Sequence, residues 1–134
     1  MRELSGKVAF ITGGVTGIGF ALAKAFASAG MAVIVTYRRE DHRDEAMAHF
    51  ARNPELTVHP LRLDVTDREA VRAAADQAER VFGKIHLLCN NAGVNQLGEM
   101  DKATFEDWDW IMGVNVNGVI NTLMSFIPKI KAHG

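Results

Sequence analysis

The stretch Lys7-Val8-Ala9-Phe10-Ile11-Thr12-Gly13-Gly14-Val15-Thr16-Gly17-Ile18-Gly19 decides the fold. Its first half is a short apolar run, the pattern of a strand buried on both faces. Its second half is a glycine cluster that opens into a helical stripe. Ile18, Ala21, Leu22, Ala25, Phe26 and Ala29 recur there at spacings of three and four, and Gly30 ends the helix as a C-terminal cap. Glycines at such a junction permit a tight turn, close approach of backbone to a pyrophosphate and tight packing of helix on strand. The helix start adds free N–H groups and the positive end of its dipole. Taken alone the loop could be a plain strand-to-helix turn; between a buried strand and a helix it points to a phosphate ligand. No Lys-Ser/Thr pair follows the glycines, which excludes a P-loop kinase or GTPase.

The pattern repeats outward from this stretch. Met31 to Thr36 is a second buried strand, Glu40 to Ala51 a charged helix, and Leu56 to Leu63 a third strand ending at Asp64. Thr66-Asp67-Arg68-Glu69 has the spacing of a capping box and opens a helix to Phe82, stopped by Gly83. Ile85 to Cys89 is a fourth strand, followed by Asn90-Asn91-Ala92-Gly93, a loop to about Lys102, and helix to the end. Strands alternating with helices in this way are βαβ units, so the fold class is α/β with a parallel sheet between two helical layers, in one domain spanning 1-134.

Composition narrows the function. Fifteen Lys+Arg against sixteen Asp+Glu give a net charge of -1, which argues against a nucleic-acid binder. One cysteine, Cys89, leaves no intramolecular disulfide, and it is expected to be an inert buried thiol. His42, His49, His59, His86 and His133 show no ligand spacing, so no metal is expected. Met1 to Lys7 has no apolar leader segment, and a cytoplasmic chain is expected. Ile111 to Pro128 is uncharged over eighteen residues but holds three Asn, one Thr and one Ser. Such amides are costly in hydrocarbon, so the expectation is a soluble helix, not a membrane span. It should be buried on much of its circumference by its own domain and by a partner subunit. Phe105, Trp108 and Trp110 are expected to be packing anchors, and Asp101, Glu106, Asp107 and Asp109 to complement a helix dipole.

These motifs together resemble the short-chain dehydrogenase/reductase family, across the whole chain. Thr12 to Gly19 carries that family's Thr-Gly-x-x-x-Gly-x-Gly cofactor loop, and Asn90-Asn91-Ala92-Gly93 its second motif. Asp64-Val65 matches the acidic position that the family sets against the adenine ring, and Val114-Asn115-Val116-Asn117-Gly118 the segment with its catalytic asparagine. The resemblance implies a Rossmann-like, doubly wound sheet of order 3-2-1-4 that binds a nicotinamide cofactor. The implied contacts are Gly13, Val15, Thr16, Gly17, Ile18 and Gly19 on the first loop, then Leu63, Asp64 and Val65, then Asn90, Asn91, Ala92 and Gly93. Asn115 would hold a water in the proton relay.

Selection between NAD and NADP is an electrostatic matter at the end of the second strand, which reads Val35-Thr36-Tyr37-Arg38-Arg39-Glu40. Where NAD-preferring relatives carry an acid, this chain has Tyr37, which cannot repel a 2′-phosphate; Arg38 and Arg39 could clamp one. NADP is therefore favoured, with NAD as the alternative. Thr16, where many NADP-preferring relatives have a basic residue, and the nearby Glu40 and Asp41 speak against it.

Of the family's four catalytic groups, a serine, a tyrosine, a lysine and the asparagine, only Asn115 is present. The one tyrosine, Tyr37, has Asp41 where the lysine would stand, and Ser125 precedes the fifth strand after which the family's serine comes. The chain alone is therefore expected to be inactive, and to be the N-terminal part of a longer reductase, truncated after its fourth strand and helix. An open apolar fourth strand and an uncovered uncharged helix support that expectation. The parent would act on an alcohol or ketone, as a homo-oligomer joined through the last helix. Asp107 to Pro128 is loosely similar to dehydrogenases of aryl secondary alcohols, a similarity that names no substrate. Val94 to Met100 is expected to line the substrate pocket. The alternatives are a truly short, non-catalytic nucleotide-binding module and a Rossmann-like methyltransferase.

Overall fold

In the computed structural model, which describes residues 3–95 and 98–133, four parallel strands lie in the order β3-β2-β1-β4. They are β1 (Val8–Ile11), β2 (Ala32–Tyr37), β3 (Val58–Arg62) and β4 (Leu87–Cys89). Ile11 at the centre pairs with Val35 on one side and Cys89 on the other. Alternation along β1 divides the core. Ala9 and Ile11 face α1 (Gly17–Ser28) and α2 (Glu40–Phe50), where they meet Ala23, Ala27 and Phe50. Val8 and Phe10 face α3 (Arg68–Phe82) and α5 (Gly118–Ala132), where Phe10 and Phe126 pack with ring centroids 4.4 Å apart. A strand covered on both faces has no polar face to offer, which is why β1 reads as an unbroken apolar run.

Gly30 ends α1 as expected: at φ 87° it donates to Ala27, and Met31 donates to Phe26, closing a Schellman motif. The start of α3 differs from expectation. Its N-cap is Asp67, whose carboxylate accepts from the Ala70 amide, and Thr66 lies outside the helix. Both the amide and the hydroxyl of Thr66 donate to Asp64 Oδ1, at 2.9 and 2.7 Å. Asp64 accepts the Thr66 amide that Glu69 would accept in a box, and Asp67 takes the cap position with the Ala70 amide, so the Thr66 box does not form. A capping box does form at the start of α4 (Phe105–Met112), between Thr104 and Asp107.

The last helical region is not one α-helix. A π turn over Gly113–Asn117 separates α4 from α5. Its inward face is buried at Val114, Gly118, Asn121, Thr122 and Phe126, but its own domain covers less of it than expected. Phe105 is 91% exposed, Trp108 40%, Trp110 44% and Met124 74%. The aromatic residues are therefore not anchors of this domain's core: α4 has no buried residue. By length and composition Phe105–Ala132 is apolar enough to cross a membrane, yet it packs on the sheet through Phe126, as a core helix does.

Candidate functional site

The carboxyl ends of all four strands open into one cleft of about 800 Å³. Its first wall is the loop after β1. Gly13 and Gly17 have φ of 63° and 54°, a region that side-chain-bearing residues rarely enter. The Gly13 amide donates to the Thr36 hydroxyl at 3.0 Å and the Gly14 amide to the Thr36 carbonyl at 3.1 Å, tying the loop to the end of β2. Val15, Thr16, Gly17 and Ile18 line the cleft. Gly19 does not; it sits beneath, where a Cβ would fall 2.2 Å from the Gly13 oxygen.

The second wall is Asn91-Ala92-Gly93 with Val94. Thr12, fully buried, joins the two walls. Its hydroxyl oxygen accepts from the amides of Asn91 and Ala92, each at 3.0 Å. Asn91 returns the connection through Nδ2, which donates to the carbonyls of Thr12 (3.2 Å) and Gly13 (3.0 Å). Asn91 thus shapes the glycine loop as well as lining the cleft. Asn90 lies off the cleft wall and bonds the Thr122 hydroxyl.

The far end is cationic. Arg38, Arg39, Arg62 and His42 line it beside Tyr37, Leu63, Asp64 and Val65. Arg39 is committed to Asp41 by two bonds of 3.1 and 2.7 Å, and that hydrogen bonding holds the Asp41 carboxyl below its usual range. Arg38 is looser, with its nearest acid, Asp64, at 3.9 Å. Partial burial pushes the Asp64 carboxyl up, but the two Thr66 bonds and the charge of Arg38 outweigh it and hold it below its usual value. The Tyr37 hydroxyl accepts from Arg43 at 3.3 Å, with the guanidinium over its ring. Sequence reasoning missed Arg62, His42, Thr36 and Val114 as wall residues; the helical and strand spacings say nothing of which neighbours converge across three crossovers.

Asn115, in the π turn, does not reach the cleft wall. Its Oδ1 accepts from the Val94 amide at 2.8 Å and its Nδ2 donates to the Val94 carbonyl at 2.9 Å. Among the described residues, one lone pair and one N–H of its carboxamide have no partner. Cys89 lies half-buried at the end of β4, and burial pushes its thiol pKa up. Among the described residues no cluster could hold a metal ion.

A strand-loop-helix cradle and a second loop bonded to it are what the glycine and Asn-Asn-Ala-Gly motifs require, and residues 7–134 match the family model described as short chain dehydrogenase. The chain belongs to this family. It is 45% identical to the C alpha-dehydrogenase of Sphingobium sp. over all of this chain and 44% of that protein. Its fold superposes on the apo form of LigO from Sphingobium sp. strain SYK-6 with a TM-score of 0.94 and 53% identity, covering 99% of this chain and 49% of that one. A short chain dehydrogenase/reductase from Burkholderia phymatum, solved in complex with NAD, gives 0.92 and 38%, over 99% and 47%. The chain spans about half the length of these relatives.

Proposed function

We propose that this chain forms the cofactor-binding half of an NADP(H)-dependent oxidoreductase that moves a hydride between nicotinamide and an alcohol or carbonyl carbon. The observation that carries the proposal is the convergence of the glycine loop, Arg38 and Asn91–Gly93 on one cleft. The residues fit a dinucleotide. The loop leaves backbone N–H groups at the start of α1 for a pyrophosphate, and the cationic end suits a ribose phosphate. In this reading Asp64 and Val65 meet the adenine ring, and Asn91–Gly93 border the nicotinamide; both sets line the cleft. When bound, the cofactor supplies the hydride.

The chain's own residues orient and polarise. Arg38 follows the end of β2 with no acid at Tyr37 to repel a 2′-phosphate, while Arg39 is paired with Asp41 and Arg62 with Glu40. Asn115 fixes the Val94 backbone at the nicotinamide end, and its remaining donor and acceptor suit a water of the proton relay. The serine, tyrosine and lysine of the relay would come from residues outside these 134. The Burkholderia relative's NAD complex makes the cofactor choice the point to test. In Arg38→Asp of the full protein, NADPH affinity should fall roughly tenfold or more while NADH affinity holds or rises. An unchanged NADPH/NADH ratio would sink the NADP assignment. We further take the enzyme to act in the cytoplasm as a homo-oligomer joined through α5, whose outer face is apolar.

A further inference from the structure

Asn121, on α5, belongs to none of the motifs above, yet it is a buried polar side chain with two partners. Its Nδ2 donates to the Val65 carbonyl at 2.9 Å, and its Oδ1 accepts from Arg68 Nε at 3.4 Å. Burying a carboxamide costs free energy unless it is bonded, and leucine would fill nearly the same volume. The bonds therefore need a local reason. Val65 lies at the middle of the connection between β3 and α3, and Arg68 opens α3, so one carboxamide ties α5 to that connection and to the start of the helix it enters. The same connection borders the cationic end of the cleft: Asp64 faces Arg38 at 3.9 Å, and Val65 lines the wall. Gly118, one turn earlier on the helix, admits the approach; a Cβ there would lie 2.6 Å from Val65 Cγ2. Asn115, before it in the π turn, holds Val94 at the cleft's other end. One rod thus grips both ends.

We propose that Asn121 is a positioning residue for the adenosine end of the cleft, setting through the Val65 carbonyl where Asp64 and Val65 meet an adenine nucleotide. The proposal rests on the cofactor reading above. Losing the Nδ2 donor leaves a buried carbonyl unpaired, and the connection relaxes toward water, carrying Asp64 with it.

The test compares the full protein with Asn121→Leu, Asn121→Asp and Phe126→Leu, reading thermal midpoints and, by calorimetry, affinity for 2′,5′-ADP and 5′-ADP. At a temperature where all are folded, Asn121→Leu should bind the favoured nucleotide about five- to tenfold more weakly, the size of one net hydrogen bond. Asn121→Asp keeps the acceptor for Arg68 but loses the donor, and should lose affinity alike; it decides the matter if the leucine variant does not fold. Phe126→Leu, a core change on the same helix away from the cleft, should lower the thermal midpoint and keep wild-type affinity. Folded Asn121 variants with wild-type affinity, or a Phe126→Leu loss as large as theirs, would overturn the positioning role and leave the cleft's identity standing. Wild-type protein that binds neither nucleotide would overturn the cofactor reading itself.

Discussion

A methyl group added at Gly19 would lie 2.2 Å from the Gly13 oxygen and 2.4 Å from Asn91 Nδ2, inside the contact that joins the two walls of the cleft. Gly19→Ala should therefore cost about 1–3 kcal/mol by overpacking and displace the glycine loop. Chemical denaturation and NADPH titration would record both losses; a variant with normal binding would show that the loop tolerates displacement. Thr12 carries the complementary prediction. Its hydroxyl oxygen accepts from two amides, so Thr12→Val should leave both unpaired and destabilise by about 1–3 kcal/mol, where Thr12→Ser keeps the oxygen and most of the stability. At the other end of the strands His86 supplies a pH dependence. Its Nδ1 accepts from the Val8 amide, which requires the neutral ring. Burial first, then the charges of Lys7, Lys84 and His133, hold its pKa below the ordinary 6.5. The unfolded chain thus binds the proton more readily: the contribution is full above 6.5 and is lost as pH falls through the depressed folded value. Urea midpoints should drop from about pH 7 to about pH 5, less steeply in His86→Asn, whose carboxamide oxygen can accept in place of Nδ1 without titrating.

Among the elements, α3 and α5 are joined at their C-terminal ends by Glu79, which takes Lys129 and His133 each at 2.7 Å. Hydrogen bonds from Lys129, then His133, hold the Glu79 carboxyl below its usual value, so this tie is lost as pH falls through that value. Glu79→Gln should increase amide exchange in the last turns of α5 at neutral pH and leave β1 unchanged. How far such elements were legible beforehand depended on what kind of force makes them. β1 and β2 were legible as apolar runs between glycines, because burial on both faces leaves no polar position to confuse the reading, whereas the order of the strands came with the family resemblance. The Thr66 box failed because Asp64, two residues earlier, took the amide that Glu69 would have accepted, and Asp67 became the cap. The π turn had no signature, since Val114-Asn115-Val116 has the same side-chain pattern in either winding. Asn121 looked like one more amide in an uncharged run; its partners Val65 and Arg68 are more than fifty positions away, and only the packed helix brings them to it. The aromatic residues of α4 were misjudged on the general habit of Trp to be covered, which holds only where something lies against them.

At the scale of the molecule, the outer face of α5 presents Ile120, Met124 and Ile127 to solvent, opposite the face held by Phe126. If this face joins subunits, Met124→Glu in the full protein should give a lighter species in sedimentation velocity, and an unchanged mass would remove α5 from the interface. The sheet order has a consequence in time. β1 and β2 are neighbours in sequence and can pair soon after both exist, but the other edge of β1 waits for β4. Thr12 and Gly13 receive their partner Asn91 from 78 and more positions downstream. On a ribosome that makes the chain from its N-terminus, the glycine loop emerges first and is completed last. Nascent chains halted before Asn91 has emerged would hold a strand and a helix there but no organised cradle, so nucleotide capture by stalled chains should begin only after β4 has cleared the exit tunnel.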